Sequence, residues 1–241
     1  MNCLTCGQLL TRELSFRQLL QFQPLIFSDV CFECEEQLIG YQEEVCPGCG
    51  RLHSRESLCR DCRCWRGQVS AWMIQNRAIL HYNDFLKEWF YRYKYQGDIR
   101  LAKVVRQKIR NFYKDHSDAC WVILPSSPQN FAQRQFHPVK ELLKAADVPF
   151  EEIFDHIGDG DKQAEKTREN RMKMRQPFQV KENFAPQTSQ KYLIFDDVYT
   201  TGATLMRGKE ALAEHLNVNT LNAEENQIQS VSLARDVGDY E

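Results

Sequence analysis

No stretch of the 241-residue chain approaches the roughly 18 consecutive apolar residues that a membrane-spanning helix needs. The opening residues, MNCLTCGQLLTRELS, lack the basic start and apolar run of a secretion signal. These two absences predict a cytoplasmic protein with no membrane insertion. Neither sign of charge is in excess: the formal net charge is -2, so bulk electrostatics alone call for no polyanionic partner. Two phosphate-binding fingerprints are missing as well. There is no G-x-G-x-x-G opening a helix and no G-x-x-x-x-G-K-[ST] loop, which weakens nicotinamide-cofactor and ordinary ATPase readings. Internal repeats are not evident. What is present, 42% hydrophobic and 27% charged residues, is the mixture of a globular protein.

Cysteine is scarce after Cys64, where Cys120 stands alone, and abundant before it: nine of the ten fall within residues 1–64. That asymmetry predicts a small cysteine-built module over 1–67 and a larger domain over 72–241. Eight cysteines form four Cys-x-x-Cys pairs: Cys3/Cys6, Cys31/Cys34, Cys46/Cys49 and Cys59/Cys62. A turn of that length brings two sulfurs to one side, and zinc closes a structural site with four thiolates. Sequential pairing gives one site from Cys3, Cys6, Cys31 and Cys34 and a second from Cys46, Cys49, Cys59 and Cys62. Interleaved pairing is the alternative. Cys64 is a possible substitute for Cys62, and His53 a weak alternative ligand. Metal binding would supply the folding free energy that so small an apolar content does not. Such a closed site has no open position for water and predicts no chemistry of its own.

Beyond the cysteines, SAWMIQNRAILHY (70–82) reads as a strand or hairpin. Residues 83–116 read as two helices, the first capped by Asn83 or Asp84, with a break at Gly97-Asp98. WVILP (121–125) is a buried strand stopped by proline, 130–146 a helix, FEEIF (150–154) a strand and 158–175 a charged loop leading into a short helix. YLIF (192–195) is a further buried strand, followed by a helix over 204–216 and a last strand over 227–234, with a short exposed tail after 235. Strands separated by helices predict an α/β fold: a parallel sheet flanked by helices, preceded by the small zinc-binding module. Ligands in such folds bind at the C-terminal ends of strands. That directs attention to the residues after WVIL and after YLIF.

After YLIF come Asp196 and Asp197, then Thr200, Thr201, Gly202, Ala203 and Thr204 at the start of a helix. Two carboxylates at a strand end can accept hydrogen bonds from hydroxyls or hold a hydrated Mg²⁺. The hydroxyls and backbone N–H groups that follow can wrap a phosphate, aided by the helix dipole, and Gly202 presents no Cβ to obstruct it. A ribose 5-phosphate satisfies both halves. The plainer alternative is a capped strand-to-helix turn with solvated aspartates. A second candidate surface lies upstream. Residues 81–114 carry nine Lys or Arg against Asp84, Glu88 and Asp98, with aromatics interleaved. Arg92, Lys94, Arg100, Lys103 and Arg106 are candidates for single-stranded DNA, by phosphate neutralisation beside stacking rings. The alternative is a helix pair whose rings are core and whose charges face water.

YLIFDDVYTTGATL resembles the phosphoribosyl-diphosphate signature of type I phosphoribosyltransferases. Together with the paired cysteines, YRYKYQGD (91–98), ILPSSP (123–128) and RQFHPVKELL (134–143), the order of motifs is similar to that of the ComF/GntX family, in its late-competence branch, over nearly the full chain. The resemblance implies a type I phosphoribosyltransferase-like fold. It gives Asp196 and Asp197 the ribose hydroxyls, Thr200 to Thr204 the 5-phosphate, and the Pro125–Pro128 turn with Ser126 and Ser127 the diphosphate, accompanied by Mg²⁺. Arg134 and Lys94 are further cationic candidates, as are Lys162, Lys166, Arg168 and Arg171 in the charged segment. It also implies a role in natural transformation, beside a ComFA-type competence helicase and incoming single-stranded DNA. The chain departs from the family where relatives usually have Arg-Gly-Phe-Asn: here the residues are Arg134, Gln135, Phe136 and His137. Met174 likewise stands where asparagine is common. No stretch specifies an acceptor base, so phosphoribosyl transfer is an expectation of the resemblance alone.

Overall fold

The computed structural model describes residues 1–10, 28–40, 45–51, 57–67, 69–157, 176–187, 190–217 and 227–236. The expected charged loop at 158–175, His53 and the tail beyond 236 lie outside the described residues. Strands β1 (Arg77–His81), β2 (Ala119–Ile123), β5 (Lys191–Tyr199) and β6 (Ile228–Arg235) form a four-stranded sheet in the order β1-β6-β5-β2. Every pairing in it is parallel. The short β3 (Phe154–His156) and β4 (Phe178–Val180) make a separate antiparallel pair. No helix among the described residues is long and apolar enough to cross a membrane.

Helices cover both faces, as the burial of the central strands on both sides demands. On one face lie α4 (Asp84–Lys94), α5 (Ala102–Lys114) and α7 (Pro138–Ala145). Leu86, Trp89, Tyr93, Val105, Ile109 and Leu142 pack there against Trp121, Leu193, Phe195 and Val231. On the other lie α2 (Arg60–Arg66), α3 (Ala71–Ile74) and α8 (Ala203–His215), whose Trp65, Trp72, Leu205 and Leu212 meet Val122, Tyr192 and Ile194. The first helix, α1 (Phe32–Glu36), carries Cys34 into the first of these cores. Asn83 caps α4, its side chain accepting from the Leu86 N–H at 2.9 Å, and the helix ends before Gly97-Asp98.

Four expectations change. FEEIF (150–154) is not a strand: only Phe154 belongs to β3, and Glu151 makes an isolated bridge to Val122. Residues 70–82 hold the short helix α3 before strand β1, because Ser70 to Ile74 turn back over α8 while only 77–81 reach the β6 ladder. The helix expected over 130–146 is two, α6 (Pro128–Arg134) and α7, separated by Gln135 in the left-handed region at φ 62 and by Pro138, which opens the second helix. Strand β5 does not stop at Phe195. It stays paired through Tyr199, so Asp196 and Asp197 lie within the strand, not beyond it.

The cysteine segment is apportioned between the two faces. Cys3 and Cys34 belong to the core beneath α4 and α5, whereas Cys46, Cys49, Cys59 and Cys62 belong to the core beneath α8. Gly40 bridges Leu80, placing the segment against edge strand β1 as well.

Candidate functional site

At the C-terminal ends of β2 and β5 lies a cavity of about 220 Å³. Asp196 and Asp197 line it from β5, Ser126 and Ser127 from the turn after β2, Asn130 and Arg134 from α6, Thr204 from α8 and Lys94 from the end of α4. The turn holds its form because Ser127 caps α6, its Oγ accepting from the Asn130 N–H at 3.3 Å.

The two aspartates are not equivalent. Asp197 is ion-paired: Lys94 Nζ lies 2.7 Å from its Oδ2, and its Oδ1 accepts from the Val198 N–H at 2.6 Å. Asp196 accepts the Asp197 N–H at 2.8 Å. It opens to the cavity but is hemmed in by protein. Burial, and then the neighbouring Asp197 charge, push its carboxyl up to about 7. One acid therefore has a lysine partner while the other titrates near neutrality.

His137 also lines the cavity, a residue to which no role is assigned from its local pattern. Its Nε2 is 3.0 Å from the Leu124 carbonyl and its Nδ1 accepts from the Lys140 N–H, so it caps α7 and ties that helix to the end of β2. Neutral imidazole with Nε2–H donating satisfies both contacts, and burial lowers its pKa in the same sense. This accounts for the departure from asparagine, since either side chain can serve as an N-cap. The neighbouring departure, Gln135 for glycine, sits at the left-handed φ that glycine adopts without strain.

The loop after β5 is arranged differently from its expected role as cavity wall. Thr204 lines the cavity, but Thr200, Thr201, Gly202 and Ala203 do not, and the last three are buried. Gly202 has φ 83, and a Cβ there would lie 2.1 Å from Tyr199 Oη, so glycine is required twice over. Thr201 Oγ1 accepts from the Ala203 N–H at 3.4 Å.

The basic candidates of 81–114 are largely engaged within the chain. Arg92 donates to the carbonyls of Thr5 and Leu4, Arg100 is bidentate to Asp98, Arg106 pairs with Asp29 at 2.9 Å and Lys94 is the partner of Asp197. Lys103 is exposed. Of the interleaved rings, Trp89, Phe90 and Tyr93 are core, while Tyr91 and Tyr95 are 52% and 63% exposed with centroids 5.9 Å apart. Arg134 lies over the Tyr95 ring at 5.5 Å.

Two groups of four sulfurs meet in sequential pairing: Cys3, Cys6, Cys31, Cys34, and Cys46, Cys49, Cys59, Cys62. The ligand atoms of each lie within 4.8 Å of one another. Contacts of 3.6 Å between Cys6 and Cys31, and 3.7 Å between Cys49 and Cys59, match sulfurs held about 2.3 Å from one tetrahedral ion. Backbone N–H groups point at sulfur in both, Cys31 N to Cys3 and Cys59 N to Cys46, as second-sphere donors to thiolates do. The residues thus fit a tetrathiolate metal site twice. Cys64 is exposed and outside both groups.

Fold and site together define a helix-flanked parallel α/β protein with an acid-bearing strand-end cavity and two four-sulfur clusters. The chain belongs to the ComFC family of competence proteins. It is 32% identical over 217 residues to competence protein ComFC of Streptococcus pneumoniae, covering 89% of this chain and 94% of the relative. It is 30% identical over 217 residues to competence protein ComFC of Bacillus subtilis, covering 88% of each. A hypoxanthine phosphoribosyltransferase from Staphylococcus aureus has a solved structure that covers 61% of this chain and 70% of its own, at 18% identity and a TM-score of 0.28, too loose a likeness to define the fold. No family profile matches the chain.

Proposed function

We propose that the cavity is a phosphoribosyl site of type I phosphoribosyltransferase character, in a cytoplasmic protein that assists the handling of single-stranded DNA during natural transformation. One observation carries the ligand reading: Asp196, Asp197, Ser126, Ser127, Arg134 and Thr204, drawn from three separate segments, line a single strand-end cavity. Asp196 and Asp197 would take the ribose hydroxyls. Thr204, at the N-terminus of α8, would take the 5-phosphate, with the loop 200–203 behind it setting its position. Ser126, Ser127 and Arg134 would face a diphosphate, whose accompanying Mg²⁺ supplies charge neutralisation when bound. Zinc is the metal that the eight sulfurs suit best, in two structural sites.

The transformation role rests on the ComFC relatives, with a ComFA-type helicase as the expected partner. Exposed Tyr91 and Tyr95, the second of them beneath Arg134, offer stacking surface for a single strand. Arg92, Arg100 and Arg106 would have to exchange internal partners to join them. A second reading, an active transferase, is favoured by the Asp196 carboxyl: a group titrating near 7 beside a sugar site suits proton transfer with an acceptor. Diphosphate release from phosphoribosyl diphosphate with a defined acceptor would establish it.

Calorimetric titration of ribose 5-phosphate into the full chain tests the ligand reading. Saturable binding is expected, weakened about tenfold or more by Asp197→Asn, which removes the charge that Lys94 and the sugar share. Absence of binding at millimolar ligand would refute the site. The same variant should lower transformation frequency in its host.

A further inference from the structure

Among the described residues, the second four-sulfur cluster touches the Thr-Gly loop from two directions. Trp65, three residues after Cys62 on α2, donates its indole N–H to the Thr201 carbonyl at 2.8 Å. From the other side comes Arg235, the last residue of β6, only 1% exposed. Its Nε lies 3.4 Å from Cys49 Sγ, its Nη1 donates to the Tyr199 carbonyl at 3.0 Å, and its Nη2 lies 3.3 Å from Asp61 Oδ2. Its guanidinium also stacks over the Tyr199 ring at 4.6 Å. That ring in turn lies against Gly202 so closely that no Cβ would fit between them. The backbone of 199–202, immediately before the N-terminus of α8, is therefore clamped between Trp65 and Arg235.

The clamp depends on what the sulfurs hold. Four thiolates around a divalent ion leave a dianionic core, a strong counter-charge for a buried guanidinium and a good acceptor for its N–H. Without the ion nothing holds the four sulfurs together around one centre, and Cys49 Sγ is no longer fixed beside Arg235. Arg235 would then be left with Asp61 as its nearest carboxylate while still fully buried, an arrangement that favours movement of the side chain. Any such movement is passed to Tyr199, and through its ring to Gly202. The α2 helix that presents Trp65 has Cys59 at its N-cap position and contains Cys62, so its position too is set by the cluster.

We propose that Trp65 and Arg235 are positioning residues through which metal in the Cys46–Cys49–Cys59–Cys62 cluster sets the geometry of the loop 199–204, making phosphoribosyl binding dependent on metal occupancy at that cluster. The ligand half of this statement rests on the reading proposed above; the coupling of metal to loop does not. Among the described residues, the surroundings of the first cluster, on the opposite face, are tied to α4 and α5 instead, by Arg92 on the Thr5 and Leu4 carbonyls and by Arg106 on Asp29.

The test uses the full chain loaded with zinc, in wild type, Trp65→Phe, Arg235→Met and Arg235→Lys. Hydrogen exchange of amides in 199–205 is expected to quicken about tenfold in Trp65→Phe and Arg235→Met with zinc still bound, while amides of 178–180 keep their protection. Arg235→Lys, which retains a charge and a donor, should recover part of the effect. Linkage supplies a readout that mere packing would not move. Ribose 5-phosphate should raise zinc affinity about tenfold in competition with a chelator, and that gain should fall to near unity in Trp65→Phe. Unchanged exchange at 199–205 in both Trp65→Phe and Arg235→Met overturns the coupling, whatever the ligand. If wild type exchanges as expected but binds no ribose 5-phosphate, the ligand reading fails and the coupling stands on the exchange alone.

Discussion

At Asp196 stability and ligand binding are opposed. Its carboxyl is raised to about 7 from an ordinary 3.8, by burial and by the charge of Asp197. Between those values the folded chain holds more protons than the unfolded one, so the group's contribution to stability falls as pH rises through about 4 to 7. Above that window the full cost of a buried charge remains. Asp196→Asn keeps the size and loses the charge. The variant is expected to match wild type near pH 4 and to exceed it on the order of 2 kcal/mol at pH 8, read from denaturant midpoints at each pH. Its affinity for ribose 5-phosphate should drop in the same experiment. A variant no more stable than wild type at pH 8 would mean that the carboxylate is better solvated than its surroundings indicate. Gln135 is a smaller instance of the same tension, a side chain held at φ 62 beside the cavity-lining Arg134.

Elements meet at joints that local sequence does not announce. Lys209, in the middle of α8, is fully buried and donates to the carbonyls of Trp72 and Gln75 at the end of α3. Ser230 from β6 donates to the same Gln75 carbonyl, so three elements close on one point. Burial lowers the amine to about 7 from 10.5. Here the unfolded chain holds the extra proton between pH 7 and 10.5, and stability rises with pH across that window. Relative to Lys209→Met, wild type should gain about 1 kcal/mol per pH unit from 7 to 9, followed by thermal or denaturant unfolding. Parallel curves for the two would show that the folded amine keeps its proton through pH 9, as it does in the unfolded chain. The periodicity of TLMRGKEALAEHL revealed the helix, and WVIL and YLIF revealed two sheet strands, because apolar runs of that length have few other uses. The acid pair and the Thr-Gly turn could be seen for the same reason: their chemistry is local. Strand β5's true end could not, because Val198 and Tyr199 are fixed by pairing with Ala234 and Arg235, far away in sequence. Nor could Trp65, Arg235 or His137, whose roles exist only across the fold; the one local hint was His137 standing just before a helix-opening proline.

Across the whole molecule the four Cys-x-x-Cys pairs were legible, but their division between two faces of one sheet was not. That division bears on how far the segments 1–67 and 72–241 can exist apart. The first cluster reaches the α4–α5 face through Cys3, Val30, Cys34 and Leu38, and the second reaches the α8 face through its four cysteines and Trp65. Backbone bonds join them too, from Asn76 N to Gly48 O at 2.7 Å and from His81 N to Ile39 O at 2.8 Å. Cutting before residue 72 would bare apolar surface on both faces, unpair the edge of β1, and leave Arg235 buried with neither Asp61 nor Cys49. Residues 72–241 alone are therefore expected to lack a cooperative unfolding transition and to bind a hydrophobic dye, measured against the zinc-loaded full chain by near-ultraviolet circular dichroism and dye fluorescence. A sharp transition with native near-ultraviolet signal would demonstrate an autonomous domain and reduce the clusters to attachments. If instead cooperativity is lost, partner binding by the cysteine segment has to be mapped in the intact chain with exposed surface substitutions such as Phe32→Ala or Ile39→Ala, at 71% and 52% exposure, because deletion would remove fold and contact together.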